Sequence, residues 1–481
     1  MKIILTAAEV EPFMETYEMA HKIRLLAREL KEMGVDVRVI LPKYKNIPRI
    51  YTNKMTIGKH FTVEFGDKCQ PCTIEQLDLE GVAYYFIHNY NYFNRPGICG
   101  CWDDGERFAF FVHAVLESLA QINFKPDVLH CHDWHTAMTP VLLKLKYANH
   151  YFYNSMQSIL TIHNIHNQGI FPKNILSLFD IGEEHFTPEE LEFYGNVNCL
   201  KGGLLFSDLI TTTSSSYIHE IQKPDSGQKL DGVLKHRKDR LLGFIHGPDY
   251  KEFNPAKDYH IFKMYDHNTI ENKAVNKRKL QEYLGLKVSS KIPVIAMITR
   301  KLVHDKGIEL VLEAFEEMLS LDLQFILLGY GEKEYENLFL DAAKRMPDRV
   351  SVNLFYDKLL SHRIYAGADY LLVPSLNEPC GIEHLIAQRY GTLPIVRKTG
   401  VLSDMVELYY KKTGKNYMFS FDNYNANDML FAIKRALRSF NDKVLMRSLR
   451  KTVMICSTSC RESAGEYMKI YEGLLQKTLA S

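Results

Sequence analysis

Short apolar runs recur along the chain, each followed by a longer stretch whose apolar positions fall on one helical face. That alternation predicts a parallel sheet with crossover helices. The opening "KIILTAAEV" reads as a first strand, and Met19, Ile23, Leu26, Leu30 and Met33 share one face of a helix expected over Thr16 to Met33, stopped by Gly34. "VDVRVILP", "DVLHCH", "SILTIH" and "DLITTTS" continue the series. After "DYKEFNPAKDYH" it restarts with "IPVIAMITR", "QFILLGYG", "VSVNLFY", "YLLVPS" and "LPIVRKTG", which predicts a second sheet domain. The segment 254–265, poor in apolar residues and holding Pro255, reads as a linker between domains at 1–253 and 266–460. The amphipathic stretch 461–481 reads as a helix packing back across the joint.

At 481 residues the chain is too long for one core and suits two α/β domains. Its 59 basic and 58 acidic side chains nearly cancel, so the composition points to neither nucleic acid nor an anionic membrane surface. No uninterrupted apolar run is long enough to span a bilayer, and the N-terminus lacks the basic region and cleavage site of a signal peptide, so a cytoplasmic location is expected. Cys69 with Cys72, and Cys99 with Cys101, offer four thiolates without the spacing of a zinc finger; free thiols are the better reading, and no metal is expected. Gly329 and Gly331 follow a strand without the third glycine of a dinucleotide fingerprint, which argues against a dehydrogenase.

Longer stretches carry a resemblance that spans nearly the whole chain. "HCHDWHTA", "TIHNIHNQGIFP", "EFYGNVNCLKGGLLFSD", "LDGVL", "DKGIELVLEAF", "SHRIYAGADYLLVPSLNEPCGIE" and "RYGTLPIVRKTG" together resemble bacterial glycogen synthase and plant starch synthase, retaining enzymes that extend α-1,4-glucan from ADP-glucose. The resemblance implies the GT-B arrangement, two Rossmann-like α/β domains facing across a cleft, with no metal and no cofactor. It implies a nucleotide sugar and an α-glucan as partners, and neither nucleic acid nor membrane.

The chemistry fits that assignment. Breaking the bond from the anomeric carbon to a diphosphate places negative charge on the leaving group and positive charge on the sugar, so cations are wanted at the phosphates. By resemblance, Lys306 in "DKG" is the phosphate lysine; the cation before it is Arg300 or Lys301, one residue farther away than the family has it. Glu378 in "NEPCG" matches the glutamate at the donor sugar, and Cys380, Gly381 and Ile382 offer backbone amides at a helix start. His163, accompanied by Asn164, matches the histidine near the reacting carbon; Tyr356 is expected to stack on the adenine, and Thr399 to stand on the donor side. Asp133 is expected near the cleft, with Trp134 and His135 as structural supports of its loop.

The pattern fails at the first strand-to-helix turn. The family's Lys-x-Gly-Gly-Leu loop aligns on Glu15, Thr16, Tyr17, Glu18 and Met19, so a carboxylate stands where a phosphate cation is wanted. A carboxylate ~4 Å from a phosphate charge costs about 4 kcal/mol at an effective dielectric of 20. Glu15 and Glu18 would instead favour the positive end of the helix dipole, so that the protein fills its own anion site. Asn167, His246 and Val401 are further departures, the first two on the acceptor side. The reading is a glucosyltransferase of the glycogen and starch synthase type. Two rivals stand beside it: a non-catalytic glucan-binding or regulatory partner of an active synthase, and a glycosyltransferase with a changed donor or acceptor.

Overall fold

The structure, a computed structural model, describes residues 1–16, 18–95, 97–379, 381–413, 419–456 and 458–480. The chain divides into two units, residues 1–244 with 460–481, and residues 245–459. Unit 1 holds the strands β1 (Lys2–Thr6), β2 (Asp36–Pro42), β3 (Thr56–Phe65), β4 (Lys68–Leu79), β5 (Val82–His88), β6 (Val128–His132), β7 (Gln157–Ile162), β8 (Ile170–Pro172), β9 (Glu192–Phe193), β10 (Asn196–Asn198), β11 (Leu209–Thr212) and β12 (Leu241–Gly243). Nine of them form one sheet in the order β12-β11-β7-β6-β1-β2-β5-β4-β3, and β8, β10 and β9 form a small second sheet. Pairing is parallel from β12 to β5, whereas β5-β4 and β4-β3 are antiparallel.

Unit 2 holds β13 (Val294–Ile298), β14 (Gln324–Leu328), β15 (Val350–Asn353), β16 (Tyr370–Val373), β17 (Leu393–Arg397) and β18 (Phe419–Phe421), in the order β15-β14-β13-β16-β17-β18. Every pairing in it is parallel. The central strands of both sheets are buried along their length, as expected where helices cover both faces.

The first helix, Glu18–Glu32, starts two residues later than its periodicity suggests and buries Met19, Ile23, Leu26 and Leu30. Gly34 ends it at φ +87°, a conformation that disfavours any residue with a Cβ. The C-terminal helix, Cys460–Ala480, belongs to unit 1: Ala464, Tyr467, Tyr471 and Leu474 enter the same core as β1 and β6. The Tyr471 hydroxyl is hydrogen-bonded to His130 Nδ1 (2.8 Å), and the Tyr467 hydroxyl lies 3.2 Å from Thr161 Oγ1.

The segment 254–265 is part of unit 2, and the chain passes between the units at 244/245 and 459/460 instead. Ile261 and Tyr265 are buried with Leu280, Ile364 and Tyr390. Asp258 accepts from Tyr390 Oη (2.5 Å) and His362 Nδ1 (2.8 Å), and Asn276 Oδ1 accepts the Phe262 and Lys263 amides (3.0 Å each). A run poor in apolar residues is thus anchored by buried polar side chains, which hydrophobic periodicity does not register.

Tyr467→Ala removes an aromatic ring from the unit 1 core and is expected to destabilise the protein by about 3–5 kcal/mol. Tyr467→Phe, which keeps the ring and loses a hydroxyl shared with Thr161 and Thr211, is expected to lose about 1 kcal/mol. Urea denaturation followed by circular dichroism checks both values and their order.

Candidate active site

Within each unit, predicted site residues gather at the C-terminal ends of the parallel strands, the edge where open α/β sheets present ligand groups.

In unit 1, β6 ends at His132 and the chain turns at Asp133 before the helix Trp134–Leu145. Asp133 sits at φ +56°, a strained left-handed conformation for a residue with a side chain. Its Oδ1 accepts the His163 amide at 2.7 Å, which ties the end of β6 to the end of β7. Burial pushes the Asp133 carboxyl up to about 7, against the opposing pull of the His163 and Asn164 amides and the Lys22 ammonium. His163 Nε2 lies 3.1 Å from His132 Nδ1, and His132 in turn lies against His130, with ring centroids 4.3 Å apart. Burial holds His132 down at about 3, so it is neutral at physiological pH. A line of side chains therefore runs from Tyr471 of the C-terminal helix through His130 and His132 to His163.

Asn164 Oδ1 accepts the His166 amide (2.9 Å) and shapes the turn that follows. Asn167 lies exposed in that turn, its amide donating to the Asn164 carbonyl (3.2 Å). Gly169, at φ +62°, passes the Trp134 ring so closely that a Cβ would sit 2.3 Å from it. Trp134 stacks on His135 at 4.1 Å, which makes both rings part of the loop's support, as expected. His246 is buried and belongs to unit 2.

At the turn after β1, Tyr17 lies outside the described residues. Glu15 is exposed. Glu9 Oε2 accepts the Thr16 N–H of this turn at 2.6 Å. Glu11 is ion-paired with His21 (2.5 Å) and Arg24 (3.4 Å). Lys22, the last residue of "EPFMETYEMAHK", is buried, and its ammonium makes no hydrogen bond among the described residues. Sequence reading missed it. Its position in the second turn of the helix directs the side chain back toward the helix start, and its charge is felt by Asp133.

In unit 2, Lys306 Nζ lies 2.9 and 3.2 Å from the two oxygens of Glu378. Glu378 is 2% exposed and also accepts from Ser375 Oγ (2.8 Å) and the Gly381 amide (3.0 Å). Burial would raise its carboxyl, but the Lys306 charge and these hydrogen bonds outweigh it and hold the group below the ordinary carboxylate value. Gly307, at φ +72°, lets the chain pass the Pro374 carbonyl between Lys306 and the helix Ile308–Ser320. Gly381, at φ +53°, leads into the helix Ile382–Arg389. Cys380 lies outside the described residues. Thr399 Oγ1 donates to the Leu376 carbonyl (3.3 Å), and the Val401 amide to the Glu378 carbonyl (3.2 Å). The valine in place of a glycine packs against the open face of Gly381, where a Cβ would meet it at 2.7 Å. The Arg300 guanidinium lies over the Tyr356 ring, 4.9 Å from its centroid, while Lys301 is exposed. Cys69 and Cys72 sit three residues apart on β4, one exposed and one buried, as the alternation of a strand requires, and so do not converge on one ion.

The sequence profile of the family described as "Starch synthase catalytic domain" matches residues 2–236, and that described as "Glycosyl transferases group 1" matches residues 286–446. The chain is 44% identical over 476 residues to the glycogen synthase of Desulforamulus reducens, covering 99% of both chains. It is 45% identical over 475 residues to that of Alkaliphilus metalliredigens, covering 98% of this chain and 100% of the relative. Among solved structures, the catalytic domain of starch synthase IV from Arabidopsis thaliana bound to ADP and acarbose matches with a TM-score of 0.90 at 30% identity, covering 99% of each chain. Sucrose-phosphate synthase from Thermosynechococcus elongatus, at a TM-score of 0.63 and 15% identity, shares the fold.

Two predictions follow from the buried charges of unit 1. Because the folded state raises the Asp133 carboxyl to about 7, it holds a proton that the unfolded chain releases near pH 4. Stability is therefore expected to fall as pH rises from about 4 to about 7, and Asp133→Asn to lack that component, which denaturation of parent and variant at pH 5 and pH 8 will show. Lys22→Met removes a buried ammonium that has no hydrogen bond among the described residues and keeps the volume; at pH 5, with Asp133 protonated, it is expected to stabilise the protein by about 1–3 kcal/mol. Thermal denaturation checks the sign.

Proposed function

The chain belongs to the glycogen and starch synthase family of GT-B glucosyltransferases, and from that premise we propose that it moves glucose from ADP-glucose to the non-reducing end of an α-1,4-glucan with retention of configuration. The Lys306–Glu378 pair carries this reading. It supplies a cation for the departing diphosphate and a buried ionised carboxylate to accept a hydroxyl of the donor sugar.

Lys306 is the more exposed partner, 25% accessible against 2% for Glu378, so a phosphate can reach the ammonium while the carboxylate holds it in place. Arg300, resting on Tyr356, provides a second positive charge, with Lys301 beside it in sequence. The charge that builds on the leaving group is met by groups already oriented, with little reorganisation during the reaction. Thr399, the amide of Gly381 and the helix start at Ile382 frame the loop that holds Glu378. In unit 1, Asp133, His163 and Asn164 stand together at the ends of β6 and β7 and are the groups this reading assigns to the sugar and glucan hydroxyls.

The altered first turn supports a division of labour. The Thr16 amide of this turn is already taken by Glu9, so phosphate binding rests on unit 2. Glucan affinity is expected to exceed donor affinity.

Incubation of the purified protein with radiolabelled ADP-glucose and glycogen tests the proposal, with a relative that keeps the glycine loop as control. Incorporation at non-reducing ends is expected, and Lys306→Ala is expected to lower the rate by about a hundredfold or more. An unchanged rate in the variant would remove Lys306 from the reaction. No incorporation by the parent, with the protein still retarded in glycogen-containing native gels, would favour the glucan-binding subunit.

A further inference from the structure

A cavity of about 740 Å³ opens in unit 2 at the edge of the sheet opposite Lys306 and Glu378. Its walls are the helix Lys273–Tyr283, the loop 288–291 and the helix Lys443–Cys456. At its base stands Asp369, which precedes β16 and whose Oδ2 accepts the amide of Val294, the first residue of β13. Lys306 and Arg300 follow the far end of β13, so the two sites are separated by a five-residue strand, about 15 Å.

The lining carries seven lysines and arginines against two acidic residues, in a chain whose formal net charge is only +1. The acids present do not neutralise it. Asp369 is shared by Lys277 (2.7 Å) and Arg450 (2.5 Å), one carboxylate for two cations. Among the described residues the buried Nε of Arg450 has no hydrogen-bond acceptor. Lys273, also buried, is bound by the Tyr365 and Ala366 carbonyls and the Thr392 hydroxyl, and burial together with the nearby Arg450 and Lys277 holds its ammonium well below the ordinary lysine value, so the charge of the cavity rests on the other six. Arg447 meets Glu271 only at 3.4 Å, and among the described residues Lys291 and Lys443 have no carboxylate within 4 Å. Concentrating uncompensated cations around one cavity is unfavourable unless an anion joins them.

The cavity also offers apolar surface. Ile270, Val288, Phe440 and Met446 line it, with the Phe440 ring 4.6 Å from the Lys277 ammonium. Its volume lies in the range of small-molecule sites. Cations for phosphate oxygens beside an apolar wall for a compact ring match the two ends of a phosphorylated metabolite. We propose that this cavity is a second anion site that binds a small phosphorylated metabolite, a sugar phosphate or a nucleotide, independently of the donor site.

Calorimetric titration of the full chain tests this, with inorganic pyrophosphate as the probe and with ADP and glucose 1-phosphate as arms that distinguish nucleotide from sugar phosphate. The Lys306→Ala background weakens the donor site, so binding that persists there belongs elsewhere. Saturable pyrophosphate binding is expected to persist in that background and to weaken at least tenfold on adding Lys443→Glu and Arg447→Glu, both on the exposed part of their helix. Lys291→Glu, on a loop, is expected to weaken binding in the same direction, and circular dichroism establishes that the variants fold. Loss of all binding with Lys306→Ala alone, or affinity unchanged by the charge reversals, would overturn the proposal. So would weak, unsaturable uptake that disappears at 0.15 M salt, the mark of an adventitious ion only. Because the readout is binding, a parent that fails to transfer glucose leaves this test intact.

Discussion

A buried carboxylate must be matched by charge and hydrogen bonds, and in unit 2 that demand, centred on Glu378, organises the loops around the site. Its oxygens meet the Lys306 ammonium, the Ser375 hydroxyl and the Gly381 amide. Its own carbonyl receives the Val401 amide. The segments after β13, β16 and β17 are thereby fixed to one another. Gly307, Gly381 and Gly400, all at positive φ, are where the chain bends closely enough to allow it. A Cβ on Gly400 would lie 2.2 Å from the Glu378 carbonyl. Ion pair and glycines are two parts of one constraint.

Unit 1 resolves the same problem differently. Asp133 is buried with two amides and, farther off, the Lys22 ammonium, and its carboxyl is raised rather than lowered. The contrast follows from the partners: a lysine at hydrogen-bond distance outweighs burial, whereas amides and a more distant charge do not. The histidines behind Asp133 are neutral by burial, so the floor of the site is polar yet carries little charge. The C-terminal helix completes that floor through Tyr467 and Tyr471, although it is more than 300 residues away in sequence from the strands it supports.

At the turn after β1 the protein meets a backbone amide with its own carboxylate. The helix still begins there, its positive end still attracts a carboxylate, and the protein supplies one from Glu9. The carboxylates expected at this turn were those of Glu15 and Glu18; the one at the Thr16 amide is that of Glu9, which lies on the strand side, where its side chain reaches across the turn. Lys22 is the complementary case, a buried cation within the helix that follows.

Much was legible from local pattern. Apolar runs marked the strands of both parallel sheets, because a strand covered on both faces has to be apolar along its length. The motifs around Asp133, His163, Lys306 and Glu378 could be read because each is a contiguous stretch at a strand end. The antiparallel extension β3-β4-β5 was not legible, since β3 is largely exposed and carries little apolar signal. Nor was the place of 254–265, held by Asp258 and Asn276 through buried hydrogen bonds that leave no periodicity. The sequence by itself determined which segments must be buried and which residue types stand at strand ends, because burial and turn chemistry act on neighbours. Only the tertiary structure decided which charges are paired, that Lys306 reaches Glu378 while Lys22 has no hydrogen bond among the described residues, and that seven lysines and arginines line one cavity, because Coulomb energy depends on distances between residues far apart in the chain.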